Sequence, residues 1–245
     1  MNETELLKSR LTDLSQRAFE RNYCTFSDFL TMEEISILES MKGLTAYTVF
    51  GGYDGAERCV VGFGDEVKES DFPIVCMEIA PLQQKFADKL THRDFLGALM
   101  NLGINRSTLG DIIVDENRGY LYCLDTMSDY ITDNLTRIKH TTVSCKVLDT
   151  PPASAMKEPE ESEIIVSSLR ADAVISALYH LSRNTAKTLF LQDRVFVNHQ
   201  LIAGASLMLK DGDTVSVRGY GKFRMSAVLR STKKERLVVR ILEYK

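Results

Sequence analysis

The sequence predicts an α+β, multi-domain fold, with a ferredoxin-like central domain set between an N-terminal α+β domain and a basic C-terminal α/β domain. Three observations carry this. Residues 73–148 read as strand, helix, strand, strand, helix, strand, the split order of ferredoxin-like folds. Residues 149–166 then break the apolar patterning with three of the five prolines and a run of acids, which predicts a linker. The charge balance reverses across that break. With 245 residues, 44% of them hydrophobic and 26% charged, the chain is long enough for more than one globular core.

Each element has its own signal. In residues 1–72, Leu6, Leu7, Leu11, Leu14, Ala18 and Phe19 recur at helical spacing and predict an amphipathic first helix. Thr31 and Glu34 have capping-box spacing ahead of Ile35 and Leu38, so a second helix starts there. Residues 45–50 and 58–63 are extended segments on either side of a glycine-rich turn. In residues 73–148, strands are expected at 74–79 or in the segment after it through 90, and at 111–114, 120–124 and 141–148, with helices at 93–102 and 127–138. The third strand reads Arg118-Gly119-Tyr120-Leu121-Tyr122. Tyr120 and Tyr122 lie two apart and share a sheet face, which makes them candidates for the base stacking that RNA-recognition domains of this order perform. The alternative is that both are structural core.

The segment 167–245 starts with two short helices. Arg170 and Asp172 open the first, with Val174, Leu178 and Leu181 inward; Ser182 caps the second, with Ala186, Leu189 and Phe190 inward. Arg183 and Lys187, one turn apart on the exposed face near that helix start, combine with its positive end into an anion site. A strand at 194–197 leads into a turn at Asn198, and Asp211-Gly212-Asp213 turns into a strand at 214–217. Lys222 and Arg224, beside Gly219 and Gly221, suggest a second phosphate cradle. Residues 223–229 and 237–244 form a final hairpin, with a basic tip at 231–235.

Charge separates the two ends. Residues 1–150 hold 15 basic and 24 acidic side chains, whereas residues 169–245 hold 14 basic and 6 acidic. The basic end suits a polyanion such as RNA, and the acidic remainder opposes indiscriminate coating of nucleic acid or membrane. Five scattered cysteines without a CxxC pair read as reduced core residues, so neither a disulfide framework, a metal site nor a cofactor is expected. No apolar run has membrane-span length and the first residues lack a signal-peptide layout, which predicts a cytoplasmic protein.

The order Arg170-x-Asp172, Ser182-Arg183, Val195-x-Val197-Asn198 and Gly212-Asp213 resembles the RNA-binding domain named after ribosomal small-subunit protein four. That resemblance implies RNA contacts from Arg170, Ser182, Arg183, Lys187, Arg194 and Asn198. The family usually has glycine where Asp193 and His199 stand. Over nearly its whole length the chain is also similar to the YlmH family, carried by THRDFLGALMNLGINRSTLGDIIV at 91–114 and GYGKFRM at 219–225. This implies a ribosome-associated, non-catalytic binder of rRNA and tRNA in quality control of stalled large subunits, working beside a tailing factor. It further implies a link to cell division, and neither DNA nor membrane as a partner.

An enzyme reading, as a pseudouridine-synthase-like RNA-modifying enzyme, lacks the Gly-Arg-Leu-Asp context such enzymes use. His92-Arg93-Asp94 spells a kinase catalytic loop, but no glycine-rich phosphate loop or Asp-Phe-Gly accompanies it. Arg93 is therefore read as a surface or RNA-facing residue on a helix start. A third reading makes the acidic first domain a protein-docking module of the division machinery.

Overall fold

The computed structural model describes residues 2–155, 159–232 and 234–244; Lys233 of the hairpin tip and residues 156–158 of the expected linker lie outside the described residues. The chain divides into two compact units, Met1–Lys157 and Glu158–Lys245.

In the first unit, α1 (Glu3–Arg21) begins with a capping box between Asn2 and Glu5. It buries Leu11, Ser15 and Ala18. Phe19, expected on the inner face, is 79% exposed, because it sits about 100° round the helix from Ala18. The strand β1 (Thr25–Phe26) precedes α2 (Met32–Ser40), which starts at the anticipated Thr31–Glu34 capping box. Then β2 (Tyr47–Phe50) and β3 (Val60–Phe63) join β1 in an antiparallel sheet of order β1-β3-β2.

The split pattern follows as β4 (Ile74–Pro81), α3 (His92–Asn101), β5 (Leu109–Asp115), β6 (Arg118–Leu124), α4 (Ser128–Asn134), β7 (Arg137–Ile138) and β8 (Thr141–Leu148). The antiparallel sheet runs β5-β6-β4-β8-β7, so the first and third strands of the pattern lie side by side in its middle, as a ferredoxin-like unit requires. The second helix is shorter than expected. It ends at Asn134, and Arg137–Ile138 turns back to pair with β8.

This sheet is covered on both faces, which is the main departure from the sequence reading. Leu121, Cys123, Met77 and Ile79 pack beneath α3 and α4 with Phe95, Leu99 and Ile131. On the opposite face, Tyr120, Tyr122 and Cys76 share a core with Leu11, Phe29, Ile35, Tyr53 and Phe63 from the N-terminal elements. Residues 1–72 and 73–148 are thus halves of one compact unit. A polar junction reinforces it: Asp111 accepts from the Tyr53 hydroxyl at 2.8 Å and from the amides of Glu57 and Arg58 at 2.7 and 3.2 Å. The Arg58 guanidinium donates to the carbonyls of Leu109, Phe29 and Arg106.

In the second unit, β9 (Glu160–Val166) leads to α5 (Ala171–Leu178), α6 (Arg183–Leu191), β10 (Val195–Val197), β11 (Gln200–Leu201), β12 (Thr214–Val217), β13 (Gly221–Ser231) and β14 (Leu237–Tyr244). The antiparallel sheet has the order β11-β10-β12-β13-β14-β9. Val174, Ile175 and Leu178 of α5 and Ala186, Leu189 and Phe190 of α6 share a core with Val195, Val215, Phe223 and Val239 of the sheet. Residues 160–166, read as linker, are an edge strand paired along β14. Their acids mask a two-residue alternation in which Ser162, Ile164 and Val166 turn inward. Two of those acids pair with sheet arginines, Glu161 with Arg240 at 3.0 Å and Glu163 with Arg230 at 3.5 Å.

Candidate nucleic-acid interface

The strongest cationic group is at the start of α6. Ser182 is its N-cap and accepts from the Thr185 amide at 3.0 Å, so its hydroxyl holds the helix end. The first amides of α6 have no intrahelical acceptor and give this end a partial positive charge. Arg183 and Lys187 are exposed one turn apart on the same face. Asp172, fully buried in the first turn of α5, organises the neighbouring cations. It accepts two bonds from the Arg170 guanidinium, at 3.0 and 3.1 Å, and lies 3.9 Å from that of Arg183. The fork-to-fork contact with Asp172 holds Arg170 even more firmly charged than usual. Arg183 also donates to the Ser167 hydroxyl at 2.8 Å. Arg170 and Arg183 are therefore pre-ordered around one buried carboxylate, with Lys187 exposed one turn along α6 beside them.

The remaining residues of the expected set also have roles in the fold. Asn198 and His199 form the two-residue loop between Val197 and Gln200, with φ of 49° and 67°. Such a hairpin turn needs left-handed backbone at both positions, which Asn tolerates and Gly favours. The Asn198 amide also accepts from Thr214 N and donates to Asp213, both at 2.9 Å. Arg194 donates to the Arg218 carbonyl, and its guanidinium lies 5.7 Å from the Tyr220 ring centre. Lys222, expected in a phosphate cradle, is buried, with its ammonium 5.8 Å from the Tyr244 ring centre; Arg224 is half-buried over the same ring. Both cationic stems cover apolar surface.

Asp193 and His199, standing where the resembled family has glycine, both adopt positive φ, 53° and 67°. Burial, reinforced by Lys222, lowers the His199 imidazole from 6.5 to about 4. The unfolded chain therefore binds a proton that the folded one refuses, so stability is lost as pH falls from 6.5 towards 4. Between pH 7 and pH 5 this contributes a loss of about 2 kcal/mol. Denaturant titrations of wild type and His199→Gly at both pH values should show that loss in the wild type alone.

Tyr120 and Tyr122 are not a stacking platform. Tyr122 is 1% exposed, its hydroxyl donates to the Ala155 carbonyl at 3.0 Å, and its ring stacks on Tyr53 with centres 5.0 Å apart. Ser154 reaches the Tyr120 hydroxyl at 3.2 Å. Gly52, at φ +99°, permits this closure, since a Cβ there would lie 2.4 Å from the Tyr122 ring. Burial drives the Tyr122 phenol well above its ordinary range and pushes the Cys76 and Cys123 thiols up to about 11 and about 12, leaving these cysteines inert.

Arg93 is exposed in the first turn of α3 and lines an open cleft of about 560 Å³ with Arg137 and Lys139. Sequence reading missed these two partners. Residues 127–138 looked like one helix, and nothing local signals that the β7–β8 turn brings Lys139 to 2.7 Å from Asp94.

Over 219 residues the chain is 32% identical to "Ribosome-associated protein quality control protein P2" of Bacillus subtilis (strain 168), spanning 86% of this chain and 83% of that protein. A family model described as "Putative RNA-binding domain in YlmH" matches residues 67–151. The chain belongs to the YlmH family. The matched YlmH segment contains the whole β4–β8 sheet with α3 and α4, and so includes the cleft at Arg93. A solved structure, "Cell division protein ylmH from Streptococcus pneumoniae", is 26% identical with a TM-score of 0.48, covering 60% of this chain and 92% of that one. Among the described residues, no helix of this YlmH-family chain is long and apolar enough to cross a membrane.

Proposed function

We propose that this chain is a non-catalytic RNA-binding protein that works on the ribosome. It engages rRNA and tRNA on the large subunit during quality control of stalled particles, beside a tailing factor in the cytoplasm. The observation that carries this is the patch formed by Arg170, Arg183 and Lys187, ordered by buried Asp172 at a helix start within the basic C-terminal segment. Its charge and its two-helix-and-turn setting support an RNA-binding domain of the ribosomal-protein-four type. The RNA-binding description of the matched family segment and the name of the Bacillus relative support the ribosomal setting.

Sedimentation of the full chain with ribosomal particles, followed by crosslink mapping, tests this reading. Co-sedimentation with large subunits is expected at about 50 mM salt, falling steeply by about 200 mM as released counterions cease to favour binding. A free-protein peak without RNA crosslinks overturns it.

A further inference from the structure

The covered sheet face leaves a question that the α3 side answers. In the segment matched as an RNA-binding domain, Tyr120 and Tyr122 lie in the core and offer no platform for a base. Its opposite side carries the open cleft between α3 and β7. Arg93, Gly97 and Asn101 of α3 line one wall at helical spacing of four residues, and Arg137 and Lys139 line the other.

Gly97 is the informative residue. It lies in the middle of α3, is exposed, and an added Cβ would meet no heavy atom within 4 Å. A glycine in a helix interior costs about 1 kcal/mol relative to alanine. Internal packing does not demand it here, and the bare surface leaves room for close approach of an external backbone. Lys139 points the same way. It holds a left-handed φ of 52°, where glycine or asparagine is usual, and places its ammonium against Asp94 at the cleft.

The cleft has three cations and one carboxylate, and Asp94 is already engaged by Lys139 and by the Thr91 amide and hydroxyl. Those contacts hold the Asp94 carboxyl near 2, fully ionised and committed. A cationic cleft in a half of the chain with 24 acids against 15 bases selects a polyanion locally. Leu102 and Leu135 supply an apolar floor for a base, and the Asn101 amide supplies a donor and an acceptor for its edge. At about 560 Å³ the space suits one or two nucleotides.

We propose that this cleft is a second RNA contact, taking a single-stranded segment whose phosphates meet Arg93, Arg137 and Lys139 and whose backbone crosses α3 at Gly97. The assignment rests on the RNA-binding reading of the chain and adds a site separate from the α6 patch.

The test uses the full chain and an unstructured ten-nucleotide RNA carrying 4-thiouridine. Ultraviolet crosslinks are expected in peptides 91–101 and 134–139. Gly97→Leu should weaken binding of this oligonucleotide at least about tenfold while leaving the melting temperature unchanged or raised, because leucine favours the helix. Arg93→Glu should weaken it similarly and decides the matter if Gly97→Leu does not fold. Arg183→Gln/Lys187→Glu serves as the comparison for the α6 patch, and Lys8→Gln on the exposed surface of α1 should leave oligonucleotide binding intact. The proposal is overturned if Gly97→Leu, when folded, or Arg93→Glu binds within about twofold of wild type, or if crosslinks fall elsewhere. Loss of oligonucleotide binding only in the α6 variant sinks the cleft but leaves the proposed function standing. Crosslinking in the cleft without any ribosome co-sedimentation does the reverse.

Discussion

Replacing Arg183 by Gln together with Lys187 by Glu is expected to lower affinity for structured ribosomal RNA by about 10- to 100-fold. Each residue contributes one exposed cation at the start of α6, and a phosphate contact releases condensed counterions whose entropy drives binding. The slope of log affinity against log salt should therefore fall by about 1.5 to 2, one step for each lost contact. Gln is chosen at position 183 because Glu would set a second carboxylate beside buried Asp172, whose nearest cationic neighbours include Arg183 at 3.9 Å. The variant should remain folded, since Arg170 keeps both of its bonds to Asp172, and a melting curve checks this. Filter binding over a salt series checks the prediction. An unchanged slope would remove these residues from the RNA interface, whatever the change in affinity at one salt concentration.

Tyr122→Ala is expected to destabilise the first unit by about 3–5 kcal/mol, the usual cost of deleting a buried aromatic ring. The melting temperature should drop by on the order of 10 °C for a unit of this size. The change opens a cavity against Tyr53 and Gly52 and leaves the Ala155 carbonyl without its donor. Tyr122→Phe, which keeps the ring and loses only that hydrogen bond, should cost about 1 kcal/mol. RNA affinity of the folded protein should be unchanged in both. Calorimetry and RNA titration on the same samples separate the two roles of this residue. Unaltered stability with weakened RNA binding would restore the stacking role that the strand pattern first suggested.

Both predictions depend on a distinction that a linear reading makes only in part. The caps and turns were legible: Thr31 with Glu34, Ser182, and the Asn198 hairpin each act through residues a few positions apart. The ferredoxin-like order was legible for the same reason, because each strand and helix writes its own periodicity. Arg183 and Lys187 were found because a helix start and a four-residue spacing fix their face. Strand β9 was missed since its alternation is carried by Ser162, Ile164 and Val166 among acids, and only its place in the sheet brings Arg240 of β14 and Arg230 of β13 to those acids.

By itself, then, the sequence determined the local structure, the separation of charge between the two ends, and the residues that start α6. These are set by neighbours within one helical turn or one hairpin. Tertiary structure alone decided that the tyrosine face is core, that Asp172 orders two arginines, and that Arg93 meets Arg137 and Lys139 across a cleft with a bare glycine in one wall. An alternating strand has the same pattern whether its second face meets solvent or another layer. Which one it meets depends on apolar area buried by segments about 70 residues away, such as Gly52 and Tyr53, and no local rule reports that.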